Sequence, residues 1–174
     1  MGGTLAPGLV LNRADPAAST FTVSAKDPIS AALDTIPGGA FIITSAFDGV
    51  RSGVIARSVQ PCADEPRLVC VAVRKGHTVE PLIRDSRCFA LCRVARTDRL
   101  VMRKFEMSAD HDPEKPQDPF DAFAIETMTT GSPILRKSDL VLDCEVVRHF
   151  DLEADCELFI GLVLAARIGP SAGP

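Results

Sequence analysis

The residues with the clearest chemical potential form one short basic stretch, Arg74-Lys75-Gly76-His77-Thr78, which follows an apolar run. Thr78 is also a suitable first cap for a helix. Cations, a hydroxyl and the backbone N–H groups at a helix start can together hold a phosphate, because the helix dipole favours an anion there. The same residues would serve equally as a solvated basic loop. The residue types alone leave both interpretations open.

The cysteines are the second set of reactive side chains. There are six: Cys62, Cys70, Cys88, Cys92, Cys144 and Cys156. Only Cys88 and Cys92 lie close together in the sequence, and no second pair of Cys or His residues completes a zinc set, so no metal site is predicted. We see no secretory signal at the N-terminus and expect a cytoplasmic protein. The cysteines are therefore expected to be reduced and buried as small apolar residues.

Composition excludes two classes of partner. The formal net charge of −4 and the absence of Trp and Tyr argue against nucleic acid, which favours a basic face and aromatic stacking residues. No apolar run approaches the roughly 20 residues of a membrane-spanning helix. The composition is that of a soluble globular protein that does not bind nucleic acid or membranes.

Apolar and β-branched runs predict a mainly β protein. The predicted strands are 40–47, 52–59, 68–74, 88–94, 140–150 and 156–168. The predicted helices are short: 28–33 capped by Asp27, 78–83, and 98–107 capped by Thr97 or Asp98. Because the strands do not alternate with helices, an antiparallel barrel fits better than a parallel sheet, and closure removes exposed edges.

Polar stretches predict the boundaries of the domain. Residues 1–25 are rich in Pro, Ala, Gly and Ser and are expected to form a flexible arm, and 169–174 a disordered tail. The domain then spans 26–168. Within it, 61–67 is expected to be a loop, and 108–119 an exposed polar loop that could lie over a ligand site.

Several short patterns resemble the flavin-reductase-like, FMN-binding split-barrel family. They are an apolar strand ending in Thr44-Ser45, the strand Gly53-Val54-Ile55-Ala56-Arg57-Ser58, the pair Glu65-Pro66, the basic loop from Arg74 to Thr78, and the closing strand from Ala154 to Val163. They occur in the family's order over residues 27–168.

The resemblance implies a split β-barrel that binds FMN at the interface of a homodimer. The implied cofactor-binding residues are Thr44, Ser45, Ser52, Gly53, Val54, Ile55, Ala56, Arg57, Ser58, Arg74, Lys75, His77 and Thr78. The basic loop would hold the phosphate, 52–58 would run beside the isoalloxazine ring, and Thr44 and Ser45 would reach the ribityl chain or phosphate. Two hydroxyls at a strand end are also ordinary turn formers.

Five positions depart from the family pattern: Ser58 stands where the family often has an aromatic residue, Arg67 replaces the second Pro of the Pro-Pro pair, and the other three bear on the flavin. Cys156 replaces a His, and it is either an inert packing thiol or a redox-active one beside the flavin. Arg57 replaces a small polar residue, and it could stabilise an anionic reduced flavin, bind a substrate anion or form a surface ion pair. Ala63 replaces a flavin-contacting Ser. Cys156 and Arg57 are the catalytic candidates near the flavin.

Three functions remain open at this point. The first is a flavin reductase that passes electrons from NADH or NADPH through FMN to a free flavin, a partner monooxygenase or a small acceptor. The second is an FMN electron-transfer protein that does not oxidise NAD(P)H, an alternative favoured by Cys156. The third is a split barrel that has lost flavin and binds another ligand. FAD in place of FMN also stays open.

Overall fold

A computed structural model of the chain describes residues 27–56, 58–106 and 118–169. The chain divides into two compact units, Met1–Pro37 and Gly38–Pro174. The described part of the first unit holds α1 (Pro28–Leu33), where the Asp27 carboxylate accepts a hydrogen bond from the Ser30 N–H at 3.2 Å. This cap confirms the predicted helix start. The predicted arm 1–25 and residues 170–174 of the predicted tail lie outside the described residues, so these boundaries stay predictions.

The second unit contains nine strands and two helices in its described residues. They are β1 (Phe41–Phe47), β2 (Val50–Ala56), β3 (Ser58–Ala63), β4 (Leu68–Arg74), α2 (Val79–Ser86), β5 (Cys88–Arg93), α3 (Arg99–Phe105), β6 (Ile125–Glu126), β7 (Ile134–Leu135), β8 (Leu140–Asp151) and β9 (Cys156–Ile168). Seven strands form one antiparallel sheet in the order β2-β1-β5-β8-β9-β4-β3, and β6 pairs with β7. The predicted mainly β, antiparallel fold is confirmed.

The sheet curls around an apolar core. β2 and β3 lie at opposite edges of the sheet although only residue 57 separates them in the chain, so the two edges must approach each other. Val54 of β2 and Val71 of β4 accordingly share one buried cluster with Leu91 of β5 and Phe159 of β9. This core fills the inside of the split barrel.

A second cluster covers the outer face of β1 and β5. Ile42 and Ala90 pack there against Val101 and Phe105 of α3 and against Phe120. The rings of Phe105 and Phe120 meet edge to face with centroids 5.3 Å apart. The alternation of inward and outward residues along β1 and β5 thus serves two cores, one inside the barrel and one beneath α3.

The predicted strand and loop boundaries within residues 52–67 were wrong. The sequence predicts one strand over 52–59 and a loop over 61–67, whereas β2 ends at Ala56 and β3 occupies Ser58–Ala63. Pro61 argued against a strand because it cannot donate to a ladder. At the sheet edge this deficit costs little, since one side of β3 has no neighbouring strand. The two-residue strands β6 and β7 were also not predicted.

No helix among the described residues is long and apolar enough to cross a bilayer.

Replacing Asp98 by Ala tests the cap of α3. The Asp98 carboxylate accepts from the Val101 N–H at 3.1 Å and pairs with the Lys137 ammonium at 2.6 Å. We expect Asp98→Ala to lower the free energy of unfolding by about 1 kcal/mol in urea denaturation. The matched change Thr97→Ala, at the other candidate cap, should lie within about 0.5 kcal/mol of wild type. A larger loss for Thr97→Ala than for Asp98→Ala would contradict this assignment.

The stability that the Asp98 carboxylate contributes should depend on pH. The hydrogen bond from Lys137 lowers the pKa of Asp98 from its ordinary value of 3.8. A carboxyl with a lowered pKa in the folded state contributes stability above its ordinary value, and this contribution is lost as the pH falls through the folded-state pKa. The difference between wild type and Asp98→Ala should therefore shrink in acid.

Candidate functional site

Three connections meet at one end of the barrel. β1 and β8 both run antiparallel to β5, and β4 and β8 both run antiparallel to β9, so β1, β4 and β8 point the same way. The turn after β1, the loop after β4 and the turn after β8 therefore lie at the same end. The Lys75 N–H donates to the Asp155 carbonyl at 2.9 Å, which joins two of these connections.

The basic loop is tied to β2 by a hydroxyl pair. The Ser52 and Thr78 hydroxyl oxygens lie 2.7 Å apart, and Ser52 is buried. Thr78 occupies the cap position of α2 as predicted, but its side chain does not cap the helix. The Thr78 hydroxyl instead connects the helix start to β2. Two segments that the sequence assigned to the flavin are thus brought together in space.

Two backbone donors at the start of α2 already have partners inside the chain. The Gly76 N–H donates to the Glu80 carboxylate at 3.2 Å, and the Val79 N–H donates to Nδ1 of His77 at 3.1 Å. Glu80 is buried and also pairs with Arg84 at 2.7 Å. An acidic side chain therefore meets the helix start where the sequence predicted an anionic ligand. Sequence reasoning missed Glu80, although an acid in the first helical turn is a usual partner of such a terminus.

Lys75 already pairs with an acidic side chain. Its ammonium lies 2.5 Å from the Asp151 carboxylate, with one third of the Lys75 side chain exposed. This hydrogen bond raises the pKa of Lys75 and lowers that of Asp151. Asp151 is the last residue of β8, and its contact with the basic loop was not predicted from the sequence. Arg74 is exposed at the end of β4.

The Thr44 and Ser45 hydroxyls serve the fold. Thr44 is fully buried and donates to the Pro133 carbonyl at 2.5 Å, and Ser45 is fully buried and donates to the Cys88 carbonyl at 2.8 Å. Because both hydroxyl hydrogens are used inside the chain, neither residue can donate to a ligand without breaking these hydrogen bonds.

The part of β2 that a ligand could contact is the edge of its backbone, because most of its side chains pack inside the protein. Val54 and Ala56 lie in the inner core and Ile55 packs against the outer one. A Cβ built on Gly53 would lie 3.0 Å from the Phe105 ring, so Gly53 permits the approach of α3. β2 ends the sheet, which leaves one side of its backbone without a neighbouring strand. Ser58 is exposed at the start of β3, and Arg57 lies outside the described residues.

The candidate Cys156 lies beside the basic loop. It opens β9 directly opposite Arg74 of β4 and is half-buried. The expectation of buried thiols holds for Cys92, whose pKa is raised by burial to about 11, and for Cys144, whose pKa is also raised by burial. It is wrong for Cys62, which is exposed because it lies on the edge strand β3.

His149 has a partner that the sequence did not reveal. Its Nε2 lies 2.7 Å from a carboxylate oxygen of the buried Glu157, and its ring stacks on Phe159 with centroids 4.5 Å apart. The pairing of β8 with β9 brings these residues together across the turn 152–155. This imidazole–carboxylate pair lies at the same end of the sheet as Lys75.

Comparison with known proteins identifies the class to which this antiparallel split barrel belongs. The family described as flavin reductase like domain matches residues 33–174. The chain belongs to this family of flavin-binding oxidoreductases.

Individual relatives are distant in sequence. Diflavin flavoprotein A 3 of Nostoc sp. (strain PCC 7120) is 26% identical over 145 residues, which is 80% of this chain and 24% of that protein. The protein of the same name from Synechocystis sp. (strain PCC 6803) is 28% identical over 121 residues, 69% of this chain and 20% of that protein. The chain thus spans a quarter or less of the curated relatives that it matches.

Solved structures share the fold. The Streptomyces globisporus NADH:FAD oxidoreductase SgcE6, solved with NAD and FAD fragments, has a TM-score of 0.70 at 22% identity and covers 82% of each chain. Nitrilotriacetate monooxygenase component B from Mycobacterium thermoresistibile has a TM-score of 0.67 at 24% identity, over 78% of this chain and 72% of that one.

The groups at this end of the barrel suit a flavin. A phosphate requires cations and hydroxyls, and the side chains of Arg74, Lys75 and Thr78 provide them. The pyrimidine edge of a flavin has donors and acceptors, and the free backbone edge of β2 matches both. The Gly76 and Val79 N–H groups are used inside the chain, so neither could bind a phosphate without losing its present partner.

Proposed function

We propose that the chain is an FMN-dependent oxidoreductase of the flavin reductase type, which passes electrons from NADH or NADPH to a flavin, a partner monooxygenase or a small acceptor. The observation that carries the proposal is the hydroxyl pair between Ser52 and Thr78 at 2.7 Å, which joins the edge strand β2 to the basic loop. Family membership supports flavin chemistry, and the NADH:FAD oxidoreductase among the structural relatives supports a nicotinamide as reductant.

The chain's own residues bind and orient in this proposal. Lys75 and Arg74 hold the phosphate, the Thr78 hydroxyl completes its contacts, and the backbone edge of β2 orients the ring. Lys75 must exchange Asp151 for the phosphate, since its ammonium bonds to that carboxylate. The bound flavin supplies the redox chemistry. Arg57 keeps its sequence-based assignment near the ring.

An FMN electron-transfer protein without NAD(P)H oxidation is the second candidate. The observation that favours it is Cys156, which stands where the family has a His, half-buried and opposite Arg74. A thiol is a weak hydrogen-bond donor and has a higher ordinary pKa than imidazole, so it is a poor substitute in proton supply.

We also propose a homodimer with the flavin at its interface. Exposed apolar side chains support this assembly: Phe47 and Val50 flank the turn after β1, Phe150 lies at the end of β8, and Leu152 lies in the turn that follows. Both turns lie at the end of the barrel that carries the basic loop. A second copy covering them would remove this apolar surface from water. The cytoplasmic location stays a prediction.

Anaerobic mixing of the FMN-loaded protein with NADH or NADPH separates the two candidates. The reductase predicts that the visible flavin absorbance bleaches within seconds. The electron carrier predicts that the absorbance persists with both nicotinamides and bleaches with dithionite, which serves as the control for a reducible bound flavin. Persistence with both nicotinamides would overturn the proposed NAD(P)H-dependent reductase.

A further inference from the structure

Two thiols come together on the hairpin formed by β3 and β4. In the register of these strands Cys70 lies opposite Gln60, and the pairing shifts between Pro61 and Ala63. Cys62 is the residue inside this irregularity. Diagonal neighbours on adjacent antiparallel strands lie close enough for their side chains to meet, and an irregularity changes the direction of the side chain that it contains.

The two thiols also influence each other electrostatically. Burial raises the pKa of the Cys62 thiol, and the neighbouring Cys70 thiol raises it further. Cys62 is exposed and Cys70 is half-buried, so a small solute reaches Cys62 first. Cys92 and Cys144, by contrast, are fully buried. The hairpin therefore presents one accessible thiol with a second beside it.

We propose that Cys62 and Cys70 form a reversible dithiol–disulfide pair that is oxidised by a peroxide. The Cys62 sulfur attacks one peroxide oxygen, the O–O bond breaks, and the other oxygen leaves as water or an alcohol, which makes Cys62 a sulfenic acid. The Cys70 sulfur then attacks the Cys62 sulfur, the S–O bond breaks, and the hydroxyl leaves as water. The thiols lose two electrons and two protons, and the peroxide is reduced.

The disulfide would fasten the edge of the sheet. It joins β3 to β4 across the turn 64–67, and β4 is itself paired with β9. Attack by a low-molecular-weight thiol on the disulfide reverses the reaction. The modification does not depend on the proposed flavin function, because neither thiol belongs to the surface proposed for the flavin.

Peptide mapping of the full-length protein after oxidation tests the pair. The reduced protein, without added flavin, is treated with hydrogen peroxide at mildly alkaline pH, because the raised pKa of Cys62 makes its thiolate scarce near neutrality. The remaining thiols are then alkylated in denaturant. Trypsin cuts after Arg67 and separates the peptides 58–67 and 68–74, which carry one cysteine each. We expect a disulfide-linked pair of these peptides and its loss after dithiothreitol.

Two variants sharpen the result. Cys70→Ser should give no linked peptide, and its Cys62 should be trapped by dimedone as the sulfenic acid. Cys88→Ser removes another half-buried thiol and should form the linked pair as wild type does. Oxidation of Cys62 in wild type to sulfinic acid without a linked peptide, linkage of a different pair, or an unreacted Cys62 would each overturn the proposal.

Discussion

Gly161→Val is expected to destabilise the protein by about 3 kcal/mol or more, because overpacking a filled core forces side chains and backbone to shift. A Cβ built on Gly161 would lie 2.4 Å from Cζ of Phe89 and 2.9 Å from Cβ of Cys144. Phe89 is fully buried, so its ring cannot relieve the clash by turning into solvent. Folded domains have only about 5–15 kcal/mol of stability, and the loss should be evident in urea denaturation.

Gly38→Ala is the matched control for this variant. No atom lies within 4 Å of a Cβ built on Gly38. Its free energy of unfolding should stay within about 0.5 kcal/mol of wild type. A Gly161→Val protein as stable as the Gly38→Ala protein would contradict the close packing of Phe89 against β9.

Gly76→Val is expected to weaken FMN binding about tenfold or more, which corresponds to about 1.4 kcal/mol. Gly76 has a φ of +79°, and no atom lies within 4 Å of an added Cβ, so the change strains the backbone without a clash. Valine in this left-handed backbone conformation costs about 1–2 kcal/mol, and the loop must move to relieve that strain. The movement displaces Lys75 and Thr78 on either side. Riboflavin lacks the phosphate, so its affinity should change much less in a fluorescence titration.

Gly131→Val is the control, because it introduces the same backbone strain at a site outside the basic loop. Gly131 has a φ of +80°, again with no atom within 4 Å of an added Cβ, and lies between β6 and β7. It should lose similar stability to Gly76→Val and keep the wild-type affinity for FMN. Equal losses of FMN affinity in both variants would show that strain anywhere in the barrel weakens binding, and would remove the basic loop from the account.

The sequence predicted most of the sheet because its buried strands are continuous apolar runs. β4 and β9 have the predicted bounds, Leu68–Arg74 and Cys156–Ile168, and α3 begins after Asp98, one of the two predicted caps. β3 was missed because Pro61 is a valid reason to reject a central strand, and nothing local to it reveals that the strand lies at an edge. Local sequence patterns therefore predict where a strand or helix lies better than they predict which strands pair with it.

The hydrogen-bond and ion-pair partners at the candidate site could not be predicted either, because they depend on which strands are neighbours. The pairs Lys75 with Asp151 and His149 with Glu157 depend on the registers of β4, β8 and β9. The residue types revealed the basic loop, but only the family resemblance favoured a phosphate site over a solvated loop. The hydrogen bond from the Thr44 hydroxyl to the Pro133 carbonyl likewise cannot be predicted from the sequence, because it depends on where the segment before β7 packs.

Equilibrium titration of the purified protein with FMN and with FAD is the most direct test of the central claim, which is that this barrel binds a flavin at the end that carries the basic loop. Visible absorbance and quenching of flavin fluorescence report the bound fraction. We predict saturation at one FMN per chain, with riboflavin bound more weakly because Lys75 and Arg74 then have no phosphate to hold. Absence of binding by both FMN and FAD would contradict the account.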